Sequence, residues 1–237
     1  VDFGTAVIGT DNDLVFTILN TGDDDLNLIG SPLVDISGDA DFTVTVQPAT
    51  NPVPATTGTT SFTVRFTPAA TGARSATISI ASDDSDENPF TFSVTGTGQT
   101  AYAAWSGGLD FEVDTNGDGI GNGMAFLLGA ADPDADATGL LPTVSESGGD
   151  LVLSFSMLNA ANRGGASMAT QHSADLGATD AWDAAGNEET VPETTGTVGV
   201  VDFDITPNGI LNDVTVTIPA SEANGGSKLF GRLLATE

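Results

Sequence analysis

The sequence predicts an all-β protein built as two β-sandwiches with a short irregular segment between them. Three observations carry this. Residues 1–98 are short runs of alternating apolar and polar residues separated by Gly, Pro, Asn and Asp clusters. Residues 99–139 lose that alternation and become rich in small residues and acids, and from residue 140 the short-strand pattern resumes. In the first region no helical periodicity competes with the period of two.

The runs follow in order. After an opening VDFGTAV come DLVFTILN, with Leu14, Phe16 and Ile18 on one face, and DLNLI, with Leu26 and Leu28. Then come DFTVTV (Phe42, Val44, Val46), SFTVRF (Phe62, Val64, Phe66), SATISI (Ala76, Ile78, Ile80) and PFTFSV (Phe90, Phe92, Val94). Residues two apart on a strand share a face, so each run has one apolar face and one rich in Thr, Ser and charge. About seven strands in this length is the pattern of a sandwich domain.

The phrases DFGTAVIGT, FTILNTGDDDLNLIG and SFTVRFTPAATGARSATISIASDDSDENPFTFSVTGTG resemble the choice-of-anchor D domain, an immunoglobulin-like module related to the hydin and abnormal-spindle domains. The resemblance covers nearly all of residues 1–98, with NTG, F-x-P-x-x-x-G, S-x-D-x-D-E-N-P-F and GTG in matching order. It implies a noncatalytic immunoglobulin-like fold of the kind that recurs in large bacterial surface proteins.

Residues 99–139 are read as a linker holding a calcium loop and a short helix. The stretch DTNGDGIGN puts oxygen ligands at alternate positions around a forced turn. In a twelve-residue loop of the EF-hand kind, positions 1, 3 and 5 give side-chain oxygens, Gly at 6 allows the turn, 7 gives a carbonyl and 9 binds directly or through water. Counted from Asp114, the ligands are Asp114, Asn116, Asp118, Ile120 and Asn122, with Gly119 at the turn. Position 12, where a bidentate Glu closes the shell, is Ala125, so weak affinity is expected, with water or Glu112, Asp110 or Asp132 completing the shell. The competing reading is a plain Asp/Asn/Gly turn.

GMAFLLG then places Met124, Leu127 and Leu128 at helical spacing, ending on a glycine suited to a C-cap. ADPDADATG supplies Asp132, Asp134 and Asp136, as a second shell or an acidic linker. Two other acidic runs, Asp23 to Asp25 and Asp83 to Glu87, lack the alternate spacing and Gly of the Asp114 loop and read as solvated turns, with cation binding as the alternative.

Residues 140–237 are read as the second immunoglobulin-like sandwich, on the runs DLVLSFSM, ASMATQHS, DAW, GVVDFDI, DVTVTIP and KLFGRLLAT. Val152, Val201, Phe203, Ile205, Val214, Val216, Ile218 and Leu229 supply its core. The stretch from YAAW through the loop to SKLFGRLLATE is similar to C-terminal regions of large secreted proteins from verrucomicrobial and planctomycete-like bacteria, which usually carry Glu where this chain has Ala125. The loop alone resembles those of dockerin and the thrombospondin type-3 repeats.

The charge is 33 acids against 5 bases, a net of −28, which excludes an ordinary nucleic-acid binder and disfavours an anionic membrane surface. Such self-repulsion is tolerated where salt or divalent cations screen it, as in a saline, calcium-containing exterior. There is no cysteine, hence no disulfide framework. No secretory leader pattern opens the chain and no apolar run nears the roughly 20 residues of a membrane span, so an exported chain is a mature form or a fragment.

The sole imidazole, His172, lies in a strand pattern, without an H-E-x-x-H helix or a G-x-S-x-G elbow elsewhere, so an enzyme is not expected. Tyr102, Trp105 and Trp182 are the candidates for binding surface glycans, with core packing as the competing role. The expectation is therefore a noncatalytic, calcium-stabilised structural or adhesive protein on a bacterial cell surface, with a sugar-binding accessory module as the alternative. Strand runs close to both ends favour self-association, since an unpaired edge accepts another copy and repetition makes a filament unless a ring closes. A chain cut at domain borders has the same blunt ends.

Overall fold

The computed structural model describes residues 1–223 and 228–237. Strand makes up 46% and helix 10%, which places the protein in the all-β class. It forms two compact units, Val1–Thr100 and Ala101–Glu237.

The first unit contains β1 (Asp2–Val7), β2 (Asn12–Asn20), β3 (Val34–Gly38), β4 (Phe42–Val46), β5 (Gly58–Phe66), β6 (Gly72–Ile80) and β7 (Phe90–Gln99). They form two sheets, β1-β7-β6-β3 and β2-β5-β4. Pairing is antiparallel except that β1 runs parallel to β7. Alternation then sends every second residue inward, and Phe62, Phe66, Ile78 and Val94 from both sheets fill one core with Phe42 and Val34. Phe42 stacks on Phe66 at 4.6 Å, and Phe3 meets Phe42 edge-on at 5.4 Å. A Cβ at Gly96 would sit 2.6 Å from the Phe66 ring, so this ring position requires glycine.

Leu26 and Leu28, expected on a strand, make only isolated bridges, to Val53 and Ser82. Their neighbourhood is held by a side chain instead. The Leu28 N–H donates to Asn51 Oδ1 at 2.9 Å, and Asn51 Nδ2 donates back to the Leu28 carbonyl at 2.9 Å. β3 is an end strand of its sheet, with Val34 and Ile36 alternating with Asp35 and Ser37.

The second unit contains α1 (Ala101–Ser106), α2 (Asn122–Leu127), β8 (Thr143–Ser147), β9 (Asp150–Leu158), α3 (Ala160–Arg163), β10 (Ser167–Ser173), β11 (Glu188–Thr190), β12 (Gly196–Val198), β13 (Val201–Asn208), β14 (Leu211–Ile218) and β15 (Phe230–Thr236). A five-stranded sheet, β12-β13-β14-β9-β8, and a three-stranded sheet, β11-β10-β15, contribute Leu153, Met168, Phe203 and Val216 to a common core. Tyr102, Phe111, Phe126, Leu127 and Leu128 belong to the same core. From Ala101 onward the segment set apart in the sequence thus packs as part of the second unit. A Cβ at Gly123 would lie 2.1 Å from the Phe111 ring, which fixes how closely α2 meets the loop before it.

The expected strand at DAW is absent. Trp182 lies in a turn-rich segment organised by Asp175, whose carboxylate accepts from the N–H groups of Ala178, Thr179 and Asp180.

Candidate calcium loop

The loop from Asp114 to Asn122 is built from short side chains that fold back on their own backbone. Asp114 Oδ1 accepts from the Gly117 N–H and Oδ2 from the Gly119 N–H, both at 2.8 Å. Asn116 Oδ1 accepts from the Asp118 N–H at 2.9 Å, and Asp118 Oδ1 from the Ile120 N–H at 2.8 Å. Gly117 and Gly119 adopt φ of 75° and 89°, which L side chains rarely take.

The turn that follows docks on this loop. Asn116 Nδ2 donates to the Ala135 carbonyl at 2.7 Å, and Asp118 Oδ2 accepts from the Ala137 N–H at 2.8 Å. That amide, chiefly, holds the Asp118 carboxyl below the usual carboxylate range, while the charge on Asp136 opposes the effect. Asp136 is therefore the acid that the Asp118 carboxylate feels across the turn. Asp132, an expected completing ligand, has Oδ1 engaged by the Asp134 N–H at 3.0 Å.

Asn122 is buried, and its amide donates to the Asp110 carbonyl and Thr115 Oγ1, both at 2.9 Å, which ties the end of the loop to its beginning. The Ile120 side chain is buried in a small cluster with Ala125, Ala130 and Ala137. Ala125, at position 12, is 4% exposed and faces that cluster.

A carboxylate oxygen that accepts one N–H keeps a second lone pair, so Asp114, Asn116 and Asp118 retain acceptor capacity for a hard cation. Two carboxylates, one amide oxygen and a carbonyl fit calcium better than any softer metal. Among the described residues no three acids or histidines gather in a group that could hold a metal by themselves. Any cation here depends on backbone carbonyl and water for the rest of its shell.

The other acidic runs serve their own loops. Asp83 accepts from the backbone and side-chain nitrogens of Asn27, at 2.9 and 2.6 Å, and that side-chain bond first of all keeps its carboxyl low. Asp25 accepts from the Ala55 N–H at 2.9 Å. A feature the sequence did not announce is Asp175, held down to about 2, first by the Thr179 hydroxyl and also by three backbone amides.

His172 is 1% exposed on β10, a strand buried on both faces. Its Nε2 makes no hydrogen bond among the described residues, and Glu222 Oε2 lies 3.7 Å away, beyond hydrogen-bond reach. Tyr102 is in the core, and Trp105 packs against it and donates from Nε1 to the Ala130 carbonyl at 2.9 Å. Trp182 is covered by the Arg232 guanidinium at 4.5 Å from its ring centre. Of the three aromatics, Tyr102 is buried and Trp105 and Trp182 are partly buried.

Residues 1–97 match the family described as the HYDIN/CFA65/VesB-like, Ig-like domain. The first unit is thus an Ig-like domain. Similar solved structures include a protein of unknown function from Porphyromonas gingivalis W83, at 19% identity and a TM-score of 0.35, covering 41% of this chain and 43% of that one. The secreted serine protease VesC from Vibrio cholerae gives 10% identity and a TM-score of 0.35, covering 98% of this chain and 48% of that one. The ASH/PapD-like domain of human CEP192 gives 14% identity and a TM-score of 0.28, covering 42% of this chain and 80% of that one. This chain spans less than half the length of the first two. A comparison with curated proteins gives no match. No helix among the described residues is long and apolar enough to cross a membrane.

Proposed function

We propose that this chain is a noncatalytic structural or accessory module of a bacterial exterior, steadied by calcium at the Asp114 loop and joined to other polypeptide by strand addition. The observation that carries the reading is the Ig-like first unit with strands left unpaired at its sheet edges. In the order β2-β5-β4 both end strands have one edge without a strand partner among the described residues, and β2 is nine residues long. A free edge gives another strand a ready set of backbone donors and acceptors. The exterior setting is supported by the net charge of −28, which calls for salt or divalent cations.

Calcium has a defined part in this reading. Asp114, Asn116 and Asp118 hold it with the Ile120 carbonyl, water replaces the acid missing at position 12, and Asn122 keeps the loop closed. With that shell a dissociation constant of about 10⁻⁴ to 10⁻³ M is expected. Calcium at ten to a hundred times this value stabilises the second unit by about 1.4 to 2.7 kcal/mol through mass action. Calorimetry with calcium and then with chelator measures it, and a melting temperature unmoved by chelator removes calcium from the proposal.

Head-to-tail assembly of copies into a filament is the narrower form of strand addition. It needs millimolar calcium or physiological salt to bring acidic copies together. Negative-stain microscopy and light scattering test it: a sharp monomer at high concentration in calcium leaves only addition of a different chain.

A further inference from the structure

β10 turns Met168, Thr170 and His172 to one face, since residues two apart on a strand share a side, and Met168 lies in the common core. Across the β10–β15 pairing His172 stands opposite Gly231, where a Cβ would meet Leu151 at 3.0 Å, Leu153 at 3.2 Å and Ile218 at 3.6 Å. Directly opposed residues share a face, so the imidazole lies between the two sheets of the second unit, over apolar residues of β9 and β14. It is 1% exposed, and Nε2 is shielded from solvent without a hydrogen-bond partner among the described residues. A buried polar atom left this way is a cost that the fold carries while the ring is neutral.

One acceptor stands just out of reach. After β14 the chain passes through Pro219 into a short 3₁₀ turn, Ala220–Ala223. The Ala220 N–H donates to Asp150 Oδ1 at 2.9 Å and the Glu222 N–H to the Pro219 carbonyl at 3.0 Å, which fixes the backbone of this turn. Glu222 Oε1 accepts from the Ser221 hydroxyl at 3.2 Å, whereas Oε2, 3.7 Å from His172 Nε2, accepts no hydrogen bond among the described residues.

The other charged groups around β10 are engaged elsewhere. Asp180, in the turn after the strand, accepts from the Ala174 N–H at 2.7 Å and the Asn187 amide at 2.8 Å, and Asp175 is held by Ala178 and Thr179 of its own loop. Asp183 is exposed. Of the two acids on β11, Glu188 accepts from the Gln171 amide and Glu189 lies against Gly199. Arg232 of β15 is bound on the outward face by Gln171 and the Trp182 ring.

We propose that His172 and Glu222 form an acid-closed clasp between the two sheets of the second unit, open while the imidazole is neutral and shut when Nε2 takes a proton. The proton makes Nε2 a cationic donor. The carboxylate then closes by about 1 Å to a charge-assisted hydrogen bond of about 2.7 to 2.9 Å. Its side chain is 26% exposed and makes that movement by rotation, with β10 left in place. The shut clasp ties β10 of the three-stranded sheet to the turn that follows β14 of the five-stranded one. Histidine changes charge between about pH 5 and 8, above the range in which carboxyl groups ordinarily take protons, so the device answers to mild acid. The pair exists only with the imidazolium, so its stabilisation is present on the acid side and lost as pH rises through the imidazole titration. Without the carboxylate the same proton buries an unpaired charge and destabilises the unit.

The test uses the full chain, whose single histidine gives one imidazole signal in a nitrogen-labelled sample. Melting temperatures of the parent, Glu222→Gln and Glu222→Ala are compared at about pH 8 and about pH 5.5, at fixed ionic strength and calcium, and the ring nitrogen shifts are followed over the same range. Both substitutions fall on a partly exposed side chain and spare the core. The parent's lead over each variant should grow by about 3 °C or more on going to the acid condition. In the folded parent the ring should there be doubly protonated, with its Nε2 proton protected from exchange. A lead that is equal at the two conditions, or larger at the alkaline one, overturns the proposal. So does a ring that stays neutral in the folded parent in acid, or a Glu222→Gln variant that keeps the parent's acid gain, since the partner is then not the carboxylate.

Discussion

Replacing Ala125 by glutamate restores, on paper, the acid that a twelve-residue calcium loop carries at its last position. The structure predicts the reverse of a gain. Ala125 is 4% exposed, packed with Ile120, Ala130 and Ala137, and its carbonyl accepts from the Ala130 N–H at 2.9 Å. The four heavy atoms of glutamate beyond Cβ must be forced into that cluster, which costs about 1 to 3 kcal/mol in overpacking. A polar group buried without partners adds about 1 to 3 kcal/mol more. The expected loss is roughly 2 to 6 kcal/mol. A unit of about 140 residues unfolds with an entropy near 0.3 kcal/mol/K, so its melting temperature should fall by about 7 to 20 °C.

Scanning calorimetry of the parent, Ala125→Glu and Ala125→Gln, each with and without millimolar calcium, separates size from charge. Gln has nearly the volume of Glu and should fall less at neutral pH. A buried carboxyl has its folded pKa raised, so its cost is present above the unfolded value of about 4.3 and shrinks as pH falls toward it. The Glu variant should therefore approach the Gln variant near pH 4. A higher melting temperature for Ala125→Glu in calcium than for the parent would show that residue 125 reaches the cation, and would refute the packing argument.

Two further outcomes are expected. Stability should rise from low salt to about 0.15 M as repulsion among the acids is screened, and flat melting curves across that range would mean that the acids are already neutralised internally. Asp175, held at about 2 against an ordinary 3.8, contributes stability that is present above the unfolded value and lost as pH falls from about 4 through about 2. Asp175→Asn should lower the melting temperature at neutral pH and flatten its acid dependence in that window, and a variant with the parent's full acid dependence would assign the effect to other carboxylates.

What the sequence made legible followed from local periodicity. Leu14, Phe16 and Ile18 share a face of β2, and Phe62, Val64 and Phe66 share a face of β5, because a strand turns its side chains with a period of two whatever its partner. The DLNLI segment is not a strand because Asn51 supplies Leu28 with the hydrogen bonds a strand would give, from 23 residues away. Helix α1 has a local signal: Tyr102 and Trp105 stand three apart among alanines, one helical face that meets Phe126. The same limit applies to the loop. Its Asx geometry from Asp114 to Ile120 is local, while the docking of residues 135–137 on Asn116 and Asp118 is not.

The acidity and the fold have a common origin in these turns. Asp114, Asp136 and Asp175 each accept from an N–H two to five residues further along, and Asp118 from one two residues on. A side chain this short reaches its own backbone where Glu does not, which is why aspartate shapes loops. Two sandwiches without a cysteine need many such loops, and each carboxylate spent on a turn still leaves a full negative charge at the surface. Hydrogen bonds to the charged form keep Asp118, Asp136 and Asp175 ionised to lower pH, so protonation cannot relieve their repulsion near neutrality. Relief has to come from outside the chain, as salt or divalent cations in the surrounding solution.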